Sequence, residues 1–175
     1  MKKILLFAVL ILSIQSYAQE TKNKNLGKNE FKVNLAFLIA GYPEITYERL
    51  LSNETSFGIT MGFSIDNSTN SENNTNYNFS LLPYYRIYFG NKPNAGFFID
   101  GNLALYSQKQ RHGDFFSEDK KGGTGFGFGF GIGKKYKTKK GWVGEFSFGL
   151  TRTLINKDKI NLLYPRFGIT VGKIF

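Results

Sequence analysis

The stretch Gly125-Phe126-Gly127-Phe128-Gly129-Phe130-Gly131-Ile132-Gly133 sets a glycine at every second position and a large apolar residue between each pair. Alternation with period two marks a β-strand whose successive side chains point to opposite faces. One face of this strand is greasy and the other is bare.

The same two-faced habit recurs along the chain and predicts eight strands. They fall at 31–40, 43–51, 56–65, 77–89, 96–106, 124–136, 142–152 and 163–175. In the first, Phe31, Val33, Leu35, Phe37 and Ile39 share a face. In the third, Phe57, Ile59, Met61, Phe63 and Ile65 oppose Ser56, Gly58, Thr60, Gly62 and Ser64. In the fourth, Tyr77, Phe79, Leu81, Tyr85, Ile87 and Phe89 make the apolar face. Connections alternate in length: short near 52–55, 90–95 and 137–141, longer and polar near 66–76, 107–123 and 153–162. Short turns on one side and long loops on the other are the habit of outer-membrane barrels.

The first eighteen residues read as a cleaved secretory signal peptide. Lys2 and Lys3 start it, Ile4 to Ile14 form its apolar core, and Ser16-Tyr17-Ala18 ends it. Residues 19–30 read as a flexible periplasmic lead, and 31–175 as one barrel domain. The formal charge of +10 falls to +8 when Lys2 and Lys3 leave with the signal. The absence of cysteine removes disulfides, thiolate metal sites and a cysteine nucleophile. Beyond the signal no long apolar run exists, which excludes a helical membrane protein. The mean hydropathy of −0.27 fits a barrel, because half of each strand faces inward.

A soluble sandwich also alternates, so the choice of lipid over a soluble core rests on two features. The side opposite the apolar face carries glycine, serine, threonine and charged groups, as a narrow polar lumen would. And aromatic residues gather at the short-turn end of the apolar face: Phe31, Phe57, Phe89, Phe97, Tyr136, Trp142 and Phe175. These form an expected aromatic girdle at a membrane interface. Lys134 falls on the lipid face by parity, within snorkelling reach of headgroups. Closure satisfies the backbone, since a closed sheet leaves no unpaired edge in hydrocarbon. With eight strands the interior is just filled by side chains, which argues against an open pore. The fold class expected is thus all-β: an eight-stranded antiparallel transmembrane β-barrel in a bacterial outer membrane. The last strand, ending on the aromatic Phe175, resembles the assembly signal read by the outer-membrane insertion machinery.

Strand count and size resemble the small eight-stranded barrels of the OmpA and OmpX type. Three stretches are similar to an uncharacterised family of short outer-membrane barrels: Pro43–Arg49, Leu82–Gly90 and Tyr164–Lys173. The resemblance spans essentially the whole chain after the signal. It implies a fold but no reaction, so no functional residue carries over.

By parity the lumen receives Glu44, Glu48, Arg86, Asp100, Glu145 and Arg166. If Phe89 pairs with Phe97 across the short turn, Arg86 lies opposite Asp100. Buried charges persist when paired, so these six read as a structural ion network rather than a proton or ion path. The glycine row of strand six reads as space for Tyr84, Arg86, Tyr88 and Phe98 to lie across the lumen. No Gly-x-Gly-x-x-Gly or phosphate loop occurs. The carboxylate cluster suggests glycosidase chemistry only where a substrate cleft exists, and nothing in the sequence makes one. His112, the only histidine, lies in an outer loop with Asp114 and Ser117, and nothing in the sequence fixes its orientation for hydrolase or acyltransferase chemistry. Lys134, Lys135, Lys137, Lys139 and Lys140 crowd the third short turn, where contact with anionic lipid headgroups is the sharper reading. Nucleic acid does not fit an exported chain. No enzyme activity, cofactor or metal is expected. The expected role is structural or interactive, through the outer loops and outer-membrane lipid, with an extracellular partner at the loops. A narrow channel, a lipid-modifying enzyme and a soluble lipocalin-like binding barrel are the alternatives.

Overall fold

The computed structural model describes residues 27–65, 77–110 and 121–175. Within them eight antiparallel strands close into one barrel in chain order. They are β1 (Asn29–Asn34), β2 (Glu44–Leu50), β3 (Thr55–Phe63), β4 (Tyr77–Phe89), β5 (Gly96–Gln108), β6 (Gly123–Lys137), β7 (Trp142–Thr153) and β8 (Leu163–Ile174). The expected eight-stranded antiparallel architecture is the one found. The signal region, the lead up to residue 26 and the loop segments 66–76 and 111–120 lie outside the described residues. His112, Asp114 and Ser117 lie there too.

The barrel is polar inside and apolar outside. Along β6 the glycines face in while Phe128, Phe130 and Ile132 face out, 45–59% exposed. The buried set includes Glu30, Lys32, Glu48, Arg86, Asp100, Lys135 and Glu145. All seven predicted girdle residues point outward, between 47% and 63% exposed. Among the described residues no helix is long and apolar enough to cross a membrane, which says nothing about strands.

The first wall segment departs from the reading of a strand over 31–40. Pairing with β2 already begins at Asn29, and strand geometry stops at Asn34. A one-turn helix α1 (Leu35–Ile39) follows. From Leu35 to Ala40 every residue is apolar, so the alternation that would hold a strand face vanishes. Asn34 is extended, and its side chain accepts the Ala36 N–H at 3.2 Å, capping the helix. Gly41, at φ +74°, ends it. The same Asn34 amide also donates to the Phe167 carbonyl and accepts from the Ile169 N–H, at 3.0 and 3.3 Å. A side chain thus continues the β1–β8 ladder for one more step, beyond its last backbone pair, Asn34↔Thr170.

Tyr77 also departs from its expected place on the apolar face. A register shift between Tyr77 and Phe79 reverses the parity there. The Tyr77 ring packs edge-on against Tyr106 and Tyr164. These rings join Leu82, Ala104 and Ile160 in an apolar cluster at the long-loop end of the lumen. Tyr42 seals the same end, donating to Ser80 Oγ at 2.7 Å, and burial pushes its phenol pKa up.

A charged network as the candidate functional site

Below the apolar cluster, toward the short turns, the lumen is filled by ions. Every strand but β3 contributes by parity: a residue two steps from an inward neighbour also faces in. Glu30 and Lys32 come from β1, Glu44 and Glu48 from β2, Arg86 from β4, Asp100 from β5, Lys135 from β6, Glu145 from β7 and Arg166 from β8. All six expected network residues line the interior, Arg166 less deeply than the rest, with 20% of its side chain exposed. Phe89 pairs with Phe97, and Arg86 faces Asp100 in the same register.

Glu48 is the hub. It accepts from Lys32 and Tyr88, from Tyr84 at 2.5 Å, from Lys135 at 3.3 Å and from Arg86 at 3.4 Å. Lys32 also reaches Glu145 at 2.8 Å. Lys135 grips both oxygens of Glu30, at 2.6 and 2.5 Å. Arg86 spans Glu145 and Asp100, each at 3.1 Å, and its guanidinium lies 3.6 Å from the Phe98 ring centroid. Three carboxylates (Glu30, Glu48, Glu145) and three cations (Lys32, Arg86, Lys135) therefore balance at the centre. Oxygens of those three carboxylates lie within 4.8 Å of one another, close enough to share a metal ion. The two lysine ammonium groups already stand where such a cation would sit.

Glu44 and Arg166 sit apart from this centre. Glu44 accepts from Asn34 Nδ2 at 2.8 Å, and Arg166 approaches Asp100 only at 3.8 Å. Between them lies a cavity of about 30 Å³ that Thr46, Thr60 and Ser147 also line. It has room for a water molecule. Arg86 Nε and Asp100 Oδ1 are buried without a hydrogen-bond partner among the described residues.

Three members of the network escaped the sequence reading. Glu30 fell in the expected lead and Lys135 among the turn lysines, while Lys32 was passed over between Phe31 and Val33. Parity alone places each inward: Lys135 continues the row of Gly131 and Gly133, and it pairs with Glu145 across the ladder. Lys134 does face out, with its ammonium 5.1 and 5.3 Å from the Phe97 and Tyr136 ring centroids. The glycine row makes space for Phe98, as expected, and also for Asp100. A Cβ on Gly131 would lie 2.6 Å from Asp100 Oδ1, and one on Gly133 would collide with the Phe98 ring. The Tyr84 ring instead lies over Gly58 of β3.

Neither a curated protein nor a solved structure matches the chain. A family model described as "Protein of unknown function (DUF3575)" matches residues 4–167, and the chain belongs to that family.

Proposed function

We propose that this protein is an outer-membrane barrel that neither conducts ions nor catalyses a reaction. On this reading it is a rigid plug-filled support that presents its long loops outward. One observation carries it: the barrel turns phenylalanine, leucine and isoleucine outward and buries ion pairs. In water that arrangement leaves the apolar surface unburied and the charges desolvated, both unfavourable. In a bilayer the outer surface is matched and the lumen ions are mutually paired. The outward ring of Phe31, Phe57, Phe89, Phe97, Tyr136, Trp142 and Phe175 suits the headgroup level at the short-turn end.

Saturation of Glu48, the hub of the network, supports the absence of transport and chemistry. An ionised carboxylate offers about four lone-pair sites. Glu48 already meets five donors, so no lone pair is left to act as a base. The adjoining cavity of about 30 Å³ admits water and not a hydrated ion. Partners on this reading are outer-membrane lipid, the insertion machinery through the last strand, and an extracellular molecule at the loops. Fractionation and a heat-modifiability gel test the location: recovery in the outer-membrane fraction, with mobility shifting on boiling, is expected. A monodisperse chain in detergent-free buffer would overturn it. Planar-bilayer recording tests the plug: no steady openings are expected, and openings abolished by Arg86→Ala would establish a channel instead.

A further inference from the structure

We propose that the short-turn mouth of the barrel is a binding site for a phosphate-bearing anion. A cavity of about 270 Å³ opens there, between the chain at Gly27–Lys28 and the turns that follow β2 and β4. It is too large for a bare phosphate alone and suits a glycerophosphate-sized group.

Two lysines line it. Lys28 is tied down through its backbone carbonyl, which accepts the Leu50 N–H at 2.8 Å, while its ammonium makes no hydrogen bond or ion pair with the other described residues. Lys137 gives one of its three N–H donors to the Pro93 carbonyl, leaving two to serve a ligand. Lysine acts as a point-charge partner for phosphate. The surrounding field has the same sign. The turns at 51–54, 90–95 and 138–141 contain Lys92, Lys139 and Lys140 against a single acid, Glu54. A concave surface with walls of low dielectric concentrates such a field and raises the local anion concentration.

The cup is preformed. Asn94 holds φ +50°, a conformation that asparagine tolerates better than most residues. Its side chain donates to the Ser52 carbonyl at 2.6 Å and its N–H to the Asn53 carbonyl at 2.7 Å. The two turns are therefore tied together before any ligand arrives. Leu50, Leu51 and Ile174 supply an apolar side to the cup, and Leu51 is 53% exposed. A ligand with an anionic head and an apolar shoulder matches both. A phospholipid headgroup and a free phosphate ester share that chemistry.

Calorimetric titration of the full chain with glycerol 3-phosphate, in zwitterionic detergent at low salt, tests the site. Saturable one-to-one binding is expected, weakened at least tenfold by Lys28→Ala and by Lys137→Ala. Lys139→Ala, outside the cup, should change it less than twofold. Trp142 emission and heat modifiability report whether each variant is folded. Non-saturable uptake, or equal losses in all three variants, would reduce the site to diffuse surface charge and overturn the proposal. Nanodiscs separate the sources: phosphatidylglycerol discs that block the titration, where phosphatidylcholine discs do not, identify a lipid headgroup. Equal binding in both identifies a soluble ester. The site does not depend on the membrane reading, since a soluble barrel would bind in plain buffer in the same titration.

Discussion

Lys135 and Glu30 lie 105 residues apart and meet inside the barrel, the ammonium 2.6 and 2.5 Å from the two carboxylate oxygens. Both side chains are fully buried. Removing one partner of such a pair leaves an uncompensated charge, at a cost of about 3–5 kcal/mol. Lys135→Met should lower barrel stability by that amount in urea unfolding from lipid vesicles. Adding Glu30→Gln should restore most of the loss. No change on Lys135→Met would mean that the pair is solvated rather than buried.

The neighbouring lysine gives the contrast. Lys134 points outward over Phe97 and Tyr136. Lys134→Ala should leave the unfolding midpoint close to that of the parent. A loss as large as that of Lys135→Met would show the two side chains to be exchanged in facing.

Phe130 lies midway along β6 and is 59% exposed on the outer surface. Arginine on a lipid-facing wall costs about 2–4 kcal/mol near the bilayer midplane. Phe130→Arg should therefore destabilise the protein refolded into vesicles by about that amount. In a water-exposed wall the change would be close to neutral, so a neutral result removes the membrane reading.

Tyr84 leans over Gly58, where an added Cβ would come 2.7 Å from the ring's Cε1. Overpacking of this kind costs about 1–3 kcal/mol. Gly58→Ala should fall in that range, and in a Tyr84→Ala background its cost should shrink. A double-mutant cycle reads the coupling directly, and additive losses would place the ring elsewhere.

Asn34 ties three backbone groups at the point where β1 becomes α1. Asn34→Ala should cost about 1–2 kcal/mol, as loss of a helix cap does. The Ile169 amide should also lose protection against hydrogen exchange. Unchanged protection would show that another group holds that edge of β8.

The strand count, the antiparallel order and the facing of most side chains were legible because period two carries over from chain to wall wherever polar and apolar residues alternate. Two places broke the rule. At Leu35–Ala40 there was no alternation to read, and a polar side chain before the run decided the outcome. At Tyr77 a bulge inserted an odd step that no local pattern announces. The Arg86–Asp100 register was legible from one short turn. The contacts of Lys32 with Glu145 and of Lys135 with Glu30 were not, because they cross the lumen between strands that are not neighbours. Parity gives the direction of a side chain but not its partner. A residue such as Lys135, one step from an outward lysine, therefore reads as part of a charged turn.

The ions of the lumen come from every strand but β3. An open sheet on its way to closure pairs only charges on adjoining strands, such as Arg86 with Asp100, and leaves Lys32 out of reach of Glu145 and Lys135 out of reach of Glu30. Those cross-lumen pairs form only when the first and last strands zip together. Sealing the cylinder and completing its neutralisation are thus a single step, and a half-rolled intermediate gains only part of the ion pairing.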